Sequence, residues 1–517
     1  MTGFPWLSLI VWAPFVAALT LLAIPSRSGN AVRLVSVVGA GISLAGTIAV
    51  ALLYDHGSSG VQFREHMDLV PSLGIAYDLG VDGWGVSLLL LTGIIIFAGS
   101  WATWTLKDRH KEYYVLLLGL VTGVFGVFAS LDLFVFFLYY ELAVLPMYLL
   151  IGIWGSTKPV EAKGPFAFAY RLLKVGDKEY AAMKLTLMLL LGSAFILAGI
   201  LTFYWAGGGT TFNMETLAEA KIPPTTQRWL FPCLWLGFGT LAGVFPFHTW
   251  SPDGHASAPT ATSMLHAGVL MKLGAYGVIR VGMVMLPEGA QDWAAIVGAV
   301  AVINVVYGAL SAMSQKDLKY IVAYSSVSHM GIVMLGAATL TVDGWNGAIF
   351  QMFAHGIMTG LFFALVGLVY EKAHDREVFR MGGFGKIAPG IAVFFTLACL
   401  SSLGMPGLSG FVAEFLVFLG AFGEHPVWAV GGILGAWITA VYVLRAVRAI
   451  FWGPGPDRER YPHMQDARGP EWVALCFLGA CLILFGVFPR LVLDGIDAST
   501  VVHLARIVGD NVAQVTP

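Results

Sequence analysis

The sequence predicts an all-α polytopic membrane protein with about 14 transmembrane helices. Of its 517 residues, 57% are hydrophobic and only 12% are charged, which is far from the balance of a soluble domain. Fourteen apolar stretches are long enough to cross a hydrocarbon core of roughly 30 Å. The 62 glycines suit helices that pack closely inside a membrane. The net charge of −2 gives no indication of a nucleic-acid partner.

The predicted spans follow one another along almost the whole chain. The first is followed by further spans, so it is interpreted as a transmembrane helix and not as a cleaved signal. The approximate ranges are 5–25, 34–54, 82–106, 113–130, 133–154, 181–205, 229–250, 258–280, 292–313, 320–341, 346–371, 387–422, 428–445 and 471–489.

The basic residues of the connections predict the orientation. The odd-numbered connections carry 20 Lys and Arg residues, whereas the even-numbered connections carry three. By the positive-inside rule, the odd-numbered connections face the cytoplasm and both termini lie on the outer side. The odd-numbered set is Arg27, Arg33, Lys107, Arg109, Lys111, Lys158, Lys163, Arg171, Lys174, Lys178, Lys316, Lys319, Lys372, Arg376, Arg380, Lys386, Arg448, Arg458, Arg460 and Arg468, and the even-numbered set is Arg64, Lys221 and Arg228.

Proline and glycine interrupt two of the spans. The breaks read GVFPFHTWSPDGHASAP at 243–259 and SSLGMPGLSG at 401–410. Such breaks survive in a membrane only where protein or a wet cavity satisfies the freed backbone groups. They fall in the seventh and twelfth spans, a spacing that favours two inverted five-helix units over two unrelated proline kinks. The predicted division is 1–112 for helices 1–3, 113–281 for the first unit, 282–452 for the second, and 453–517 for a cytoplasmic loop, helix 14 and the C-terminal tail.

Four ionisable residues stand alone in long apolar segments. They are Glu141 in LDLFVFFLYYELAVLPMYLLI, Lys272 in SMLHAGVLMKLGAYGVI, His355 in AIFQMFAHGIMTGLFFALVGLVY and Glu414 in GLSGFVAEFLVFLGAF. A charge near the centre of a membrane helix costs roughly 2.5–3.5 kcal/mol. Because a low dielectric penalises the charged form of a lone carboxyl or amine, such groups titrate closer to neutral pH, as histidine already does. The pattern predicts a buried route for protons or cations.

Other polar residues have competing interpretations. His329 is placed to bridge Lys272 to Glu414 together with His355, although a lone histidine is also often a hydrogen-bonded core residue. Lys184 lies near the start of its helix, so it belongs either to the relay or to the membrane surface, where lysines extend towards water. Asp132 is predicted to cap its helix. The cysteines are interpreted as packing residues: Cys233, Cys399, Cys476 and Cys481.

Long motifs in the chain resemble one family of membrane proteins. They read LDLFVFFLYYELAVLPMYLLIGIWG, PFHTWSPDGHASAPTATSMLHAGVLMKLGAYGVIR, QKDLKYIVAYSSVSHMGIV, QMFAHGIMTGLFF and MPGLSGFVAEF. Their order and spacing resemble subunit M (chain 4) of bacterial proton-pumping NADH–quinone oxidoreductase, respiratory complex I, within the antiporter-like superfamily. The resemblance runs from about residue 80 to 425 and is weak towards both ends.

The resemblance implies a non-redox subunit of an H⁺-translocating enzyme in the bacterial inner membrane. It implies that the chain carries no cofactor or metal, while FMN, Fe–S clusters and quinone belong to other subunits. The implied partners are the L-type and N-type neighbours of the membrane arm, the lipid bilayer and protons. The residues carried over from the family are the helix-5 Glu141, the central Lys272, the connecting His329 and His355, and the exit-side Glu414. Lys184 and the broken-helix His248 complete the set of candidate relay residues.

One position departs from the family pattern. The family has a lysine seven residues before the histidine of the broken seventh helix, as the partner of the helix-5 glutamate, and here that position is Leu241. We therefore expect Glu141 either to pair with another cation, Lys184 or Lys272, or to stay largely protonated.

Three alternative functions share some of these features. A subunit of a multisubunit Na⁺/H⁺ antiporter or of a membrane-bound hydrogenase would carry the same motifs. A structural spacer would have lost the helix-7 lysine and with it the ability to pump. A solute transporter is disfavoured because nothing in the chain suggests a pocket for an organic substrate.

Overall fold

The computed structural model describes residues 3–57, 60–157, 174–455 and 459–509. The predicted cytoplasmic positions Lys158, Lys163, Arg171 and Arg458 lie outside the described residues, as does the end of the predicted tail. The described helices are α1 (Trp6–Ala23), α2 (Gly29–Leu53), α3 (Gly83–Ala102), α4 (His110–Ala129), α5 (Leu133–Trp154), α6 (Lys178–Ala206), α7 (Met214–Ala218), α8 (Pro224–Ala242), α9 (Trp250–Ser257), α10 (Thr260–Met283), α11 (Pro287–Ser314), α12 (Leu318–Ala338), α13 (Val342–Ala373), α14 (Pro389–Ser402), α15 (Ser409–Glu424), α16 (Pro426–Phe451), α17 (Pro470–Val487) and α18 (Arg490–Val508).

The prediction of an all-α, multi-pass membrane protein is confirmed. Within the described residues, 12 helices are long and apolar enough to cross a membrane. The predicted spans that do not qualify as single long helices are the two with breaks, which fold as α8 with α9 and as α14 with α15. The inverted relation between two five-helix units stays a prediction.

The first break ends in a short helix whose last carbonyls have partners. Arg376 donates to Ala256 O at 2.9 Å, and Lys319 donates to Ala258 O at 2.8 Å. Between them, the Ser156 N–H donates to Ser257 O at 2.7 Å. Cations and N–H groups at a helix C-terminus stabilise its unpaired carbonyls. The break is therefore satisfied by protein, and three odd-numbered connections meet at the end of α9.

The second break turns the chain between Ser402 and Ser409. Gly404 adopts φ 71, in the left-handed region that favours glycine. A Cβ added there would lie 2.9 Å from Glu414 Oε2. This glycine therefore makes the turn and leaves room for the carboxylate of the next half-helix.

Two elements lie where the sequence predicts only connections. Strands β1 (Gln62–Val70) and β2 (Ile75–Val81) form an antiparallel hairpin between α2 and α3, with Glu65 opposite Leu79. Helix α18 follows the last predicted span. Both contain too many polar residues to be found by a search for long apolar stretches.

A buried charged cluster docks α18 against the transmembrane helices. Asp82, the N-cap of α3, accepts hydrogen bonds from Arg280 of α10 at 2.5 Å and from His503 of α18 at 2.8 Å. Burial, together with the charge of Arg280, lowers the pKa of His503 to about 4. Burial by itself would raise the pKa of Asp82, but Arg280 and His503 outweigh it and hold that pKa below its usual range. The last helix is therefore docked through a neutral imidazole.

This cluster predicts a loss of stability on acidification. The unfolded chain protonates His503 near its ordinary pKa of 6.5, whereas the folded imidazole stays neutral down to about pH 4. Between these values the unfolded state binds more protons, so the stabilisation is complete above pH 6.5 and falls as the pH drops towards 4. The melting temperature of the detergent-purified protein should decrease as the pH is lowered from 6.5 to about 4. The decrease should be smaller in a His503→Asn variant. Equal slopes in the two proteins would contradict the prediction.

Candidate functional site

Lys272 lies fully buried on α10, next to a local change in helix geometry. Residues His266–Leu270 form a π-helical turn, and a second one follows at Val278–Met283. Single π-turns inside α-helices shift the hydrogen-bonding pattern and frequently occur at functional sites. The Lys272 ammonium donates to Ala267 O within the first turn and lies 2.7 Å from His355 Nδ1. No carboxylate of the described residues forms an ion pair with it.

Two glycines allow the helix that carries His355 to approach Lys272. A Cβ on Gly356 would lie 2.6 Å from the carbonyl oxygen of Gly268, so only glycine fits there. The close approach of α13 to α10 brings His355, the residue before Gly356, within hydrogen-bonding distance of the Lys272 ammonium. Small residues at helix crossings thus set the position of the polar contact.

His329 connects the histidine pair to the second broken helix. Its ring lies 5.1 Å from that of His355, measured between centroids. Its Nδ1 atom lies 3.2 Å from Glu414 Oε1 and 3.2 Å from Gln351 Nε2. Its Nε2 atom lies 3.1 Å from the hydroxyl of Ser402, the last residue before the break. Glu414, six residues into the second half-helix, is itself only 4% exposed.

The structure therefore brings four of the predicted residues into one series, Lys272, His355, His329 and Glu414. The first and last steps are hydrogen-bonding distances, whereas His355 and His329 are joined by a contact of their rings, and His355 Nε2 has no hydrogen-bond partner among the described residues. The series crosses four helices, α10, α13, α12 and α15, and every member is buried. Groups of this kind exchange protons readily when they are held within hydrogen-bonding reach.

The predicted residues of the first half are not joined to this series in the same way. Glu141 is partly exposed on α5, and its Oε1 atom has no hydrogen-bond partner among the described residues. Leu241 is fully buried. Lys184 contacts Asp253 of α9, with Nζ 2.7 Å from Oδ2. Of the two candidate cations for Glu141, Lys184 therefore pairs with Asp253 and Lys272 contacts His355.

Three histidines surround the first break. The ring of His248 packs against Phe245 and Tyr307, with centroids 5.7 and 5.0 Å away. The rings of His255 and His266 lie 4.1 Å apart. Both nitrogens of His248, both of His266 and Nδ1 of His255 are buried without a hydrogen-bond partner in the described part of the chain. Buried polar atoms of this kind are normally satisfied by ordered water.

Sequence reasoning missed several polar residues of the site. Asp253 and His255 occur in the first break, and Gln351 and Ser402 lie beside His329. His266, six residues before Lys272, is expected from the sequence to face a different side of its helix from Lys272. Asp253 was hidden because it follows prolines in a polar stretch, where a charge is unremarkable. The feature that could have identified Asp253 is its position one turn before the end of the short helix α9. Asp132 caps α5 as predicted, accepting hydrogen bonds of 2.9 Å from the N–H groups of Phe134 and Val135.

These features define a class of protein. The combination of many membrane helices, two broken spans and a buried series of lysine, histidines and glutamate is that of an antiporter-like membrane subunit. Residues 171–439 match the family model described as "NADH:quinone oxidoreductase/Mrp antiporter, TM". The chain belongs to this family.

Named relatives and solved structures agree with that assignment. NAD(P)H-quinone oxidoreductase chain 4 from a Picosynechococcus species is 35% identical over 508 residues, covering 96% of this chain and 91% of the relative. The chain 4 of Acaryochloris marina is 35% identical over 518 residues, covering 98% and 93%. A chain of respiratory complex I from Thermus thermophilus with bound NADH has a TM-score of 0.86 and 28% identity, covering 97% of this chain and all of that one. A chain of the Mrp complex from a Dietzia species shares the fold, with a TM-score of 0.81, 21% identity and 98% of each chain covered.

Proposed function

We propose that the chain translocates protons in the membrane arm of an NAD(P)H–quinone oxidoreductase, through Lys272, His355, His329 and Glu414. Relatives named as chain 4 of that enzyme align with nearly the whole chain. The observation that carries the proposal is the buried series, with 2.7 Å from Lys272 to His355, 5.1 Å between the ring centroids of His355 and His329, and 3.2 Å from His329 to Glu414.

Lys272 is suited to release a proton because its charge has little compensation. Its ammonium is fully buried, and its partners are the carbonyl oxygen of Ala267 and the imidazole of His355, neither of which carries a negative charge. A buried charge without a counter-ion is costly, so burial weakens the hold of Lys272 on its proton, and His355 Nδ1 is the nitrogen within hydrogen-bonding distance to accept it.

His329 is suited to the handover because its Nδ1 atom has two competing partners. Gln351 Nε2 and Glu414 Oε1 each lie 3.2 Å from it. A ring nitrogen either accepts from an amide N–H or donates its own proton to a carboxylate. Nδ1 accepts from Gln351 when it carries no proton, and it donates to Glu414 when it does. The two states define one step of transfer towards the second break.

The proposed setting is the bacterial cytoplasmic membrane, with the odd-numbered connections on the cytoplasmic side and both termini on the periplasmic side. The basic residues of those connections support this orientation. We also propose that FMN, Fe–S clusters and quinone are held by other subunits, and that the neighbours of this chain in the arm are the L-type and N-type antiporter-like subunits.

Purification of the native assembly tests the proposed function. The assembly, captured through this chain in mild detergent, should contain NADH-binding and Fe–S subunits. Its NADH–quinone activity should acidify or alkalise the lumen of proteoliposomes, depending on orientation. Capture of only antiporter subunits, or of a hydrogenase, would contradict the proposal. An intact oxidoreductase in which loss of Lys272 changes nothing would identify the chain as a structural spacer.

A further inference from the structure

Asp253 has an ionic contact, whereas Glu141 forms no ion pair with any of the described residues. Its Oδ2 atom lies 2.7 Å from Lys184 Nζ, and its Oδ1 atom accepts a hydrogen bond of 3.0 Å from the Tyr320 hydroxyl. These two partners come from α6 and α12, so the carboxylate connects three helices. Glu141 has one carboxylate oxygen that is buried and without a partner among the described residues.

Asp253 also lies nearer the surface of the chain than the buried series does. The side chains of Asp253 and Lys184 are each 23% exposed, whereas those of Lys272 and Glu414 are almost completely buried. Asp253 is one turn before the end of α9, where Ser156, Lys319 and Arg376 hold the last carbonyls. The two cations belong to odd-numbered connections, which the charge distribution places on the cytoplasmic side. The carboxylate is therefore near the face from which protons enter.

Polar groups continue inward from Asp253 towards Lys272. His255 is two residues further along α9 and lies on a different face of that helix, towards α10, where the ring of His266 is 4.1 Å from its own. The Nε2 atom of His255 is 3.4 Å from the sulfur of Met271, the residue next to Lys272. The partnerless nitrogens of His255 and His266 call for ordered water at this place. The two imidazoles therefore lie beside the segment that carries the buried amine, and water would be needed to connect them to the partly exposed carboxylate of Asp253.

We propose that Asp253 is the proton-uptake residue of this chain and that Lys184 and Tyr320 position its carboxylate. This inference rests on the proposed function and deepens it. The carboxylate forms an O–H bond with a proton from cytoplasmic water, which removes its charge and weakens its contact with Lys184. The proton then passes through water beside His255 and His266 to the free amine of Lys272, where an N–H bond forms and the carboxylate is restored. Glu141 has no part in this entry.

A structural ion pair is the competing explanation, and the two are distinguishable. If the pair only holds α6 against α9, the removal of both charges should leave a functional protein, because no unpaired charge remains. If Asp253 carries protons, the same double replacement should preserve assembly without preserving pumping. The conservative variant Asp253→Glu keeps a titratable carboxyl and should retain function.

The test is NADH-driven proton pumping by the whole complex, normalised to its abundance. We expect Asp253→Asn to lower pumping at least about tenfold, as loss of an acid–base group typically does, while Asp253→Glu stays within about twofold of wild type. The double variant Lys184→Met with Asp253→Asn should assemble normally and pump as poorly as Asp253→Asn. Pumping by Glu141→Gln should stay within about twofold of wild type. The matched control is Glu471→Gln, which removes the charge of a carboxylate in another ion pair, Lys372–Glu471, of the same 2.7 Å length, and it should pump normally.

Three results would overturn the inference. They are near-normal pumping by Asp253→Asn, near-normal pumping by the double variant, and a loss in Glu141→Gln as large as that in Asp253→Asn. Lys272→Ala in the same series separates this inference from the proposed function. If Lys272→Ala is inactive and Asp253→Asn is normal, only the uptake residue is wrong. If Lys272→Ala is also normal, the proposed relay itself fails.

Discussion

Lys272→Ala should lower NADH-driven proton pumping and the quinone reduction coupled to it by at least about tenfold, while the complex still assembles. The reason is that Lys272 carries the titratable amine at the start of the buried series, 2.7 Å from His355. Assembly should survive because alanine removes a buried charge that has no carboxylate partner among the described residues. The measurement is vesicle acidification, with complex abundance determined on native gels.

Lys272→Arg tests whether the proton or the positive charge matters. A guanidinium is effectively never deprotonated in proteins, so the arginine variant should also be impaired. Lys111→Ala is a matched control, because the Lys111 ammonium is also held by backbone carbonyls, those of Leu22 and Ile24 at 2.8 and 2.7 Å. Normal pumping by Lys272→Ala at normal abundance would remove Lys272 from the path.

Glu414→Gln should depress pumping about as strongly as the loss of Lys272. Glutamine keeps the shape of the side chain but removes the carboxylate to which, in the proposed relay, His329 Nδ1 passes its proton over 3.2 Å. Glu414→Asp keeps the carboxyl and should be milder. Rates of pumping in vesicles and of quinone reduction measure both effects.

Glu424→Gln provides the control on the same helix, since Glu424 is exposed at the end of α15. It should pump at the wild-type rate. If Glu414→Gln and Glu414→Asp both behaved like this control, the carboxylate of Glu414 would have a structural role only.

Much of the candidate site could be predicted from the sequence, because ionisable residues are rare in membrane-spanning helices. A lone charge in an apolar helix is costly, so Lys272 and Glu414 are conspicuous, and so are the prolines of the two breaks. The number of spans then follows from the apolar stretches that are long enough to cross the membrane. The contacts of Lys272 with His355 and of His329 with Glu414 required the three-dimensional packing of α10, α12, α13 and α15, although each residue could be named beforehand.

The remaining features follow from interactions between distant segments. The π-turn beside Lys272 has no pattern of its own in the sequence. The Asp253–Lys184 pair joins residues 69 positions apart, and Asp253 occurs in a polar stretch where its ion pair is not apparent. Helix α18 and the hairpin were missed because polar residues interrupt their apolar positions. The search for long apolar spans therefore found the transmembrane helices and missed the hairpin and α18, which pack against them.

The most direct test of a single proton line is a double-mutant comparison of Lys272→Ala, Glu414→Gln and the two together. Residues that act in series in one path do not contribute independently. The double variant should therefore pump no worse than the poorer single variant, at equal abundance of the complex. If the two losses multiply instead, Lys272 and Glu414 act on separate events, and the series from Lys272 through His355 and His329 to Glu414 is not the path.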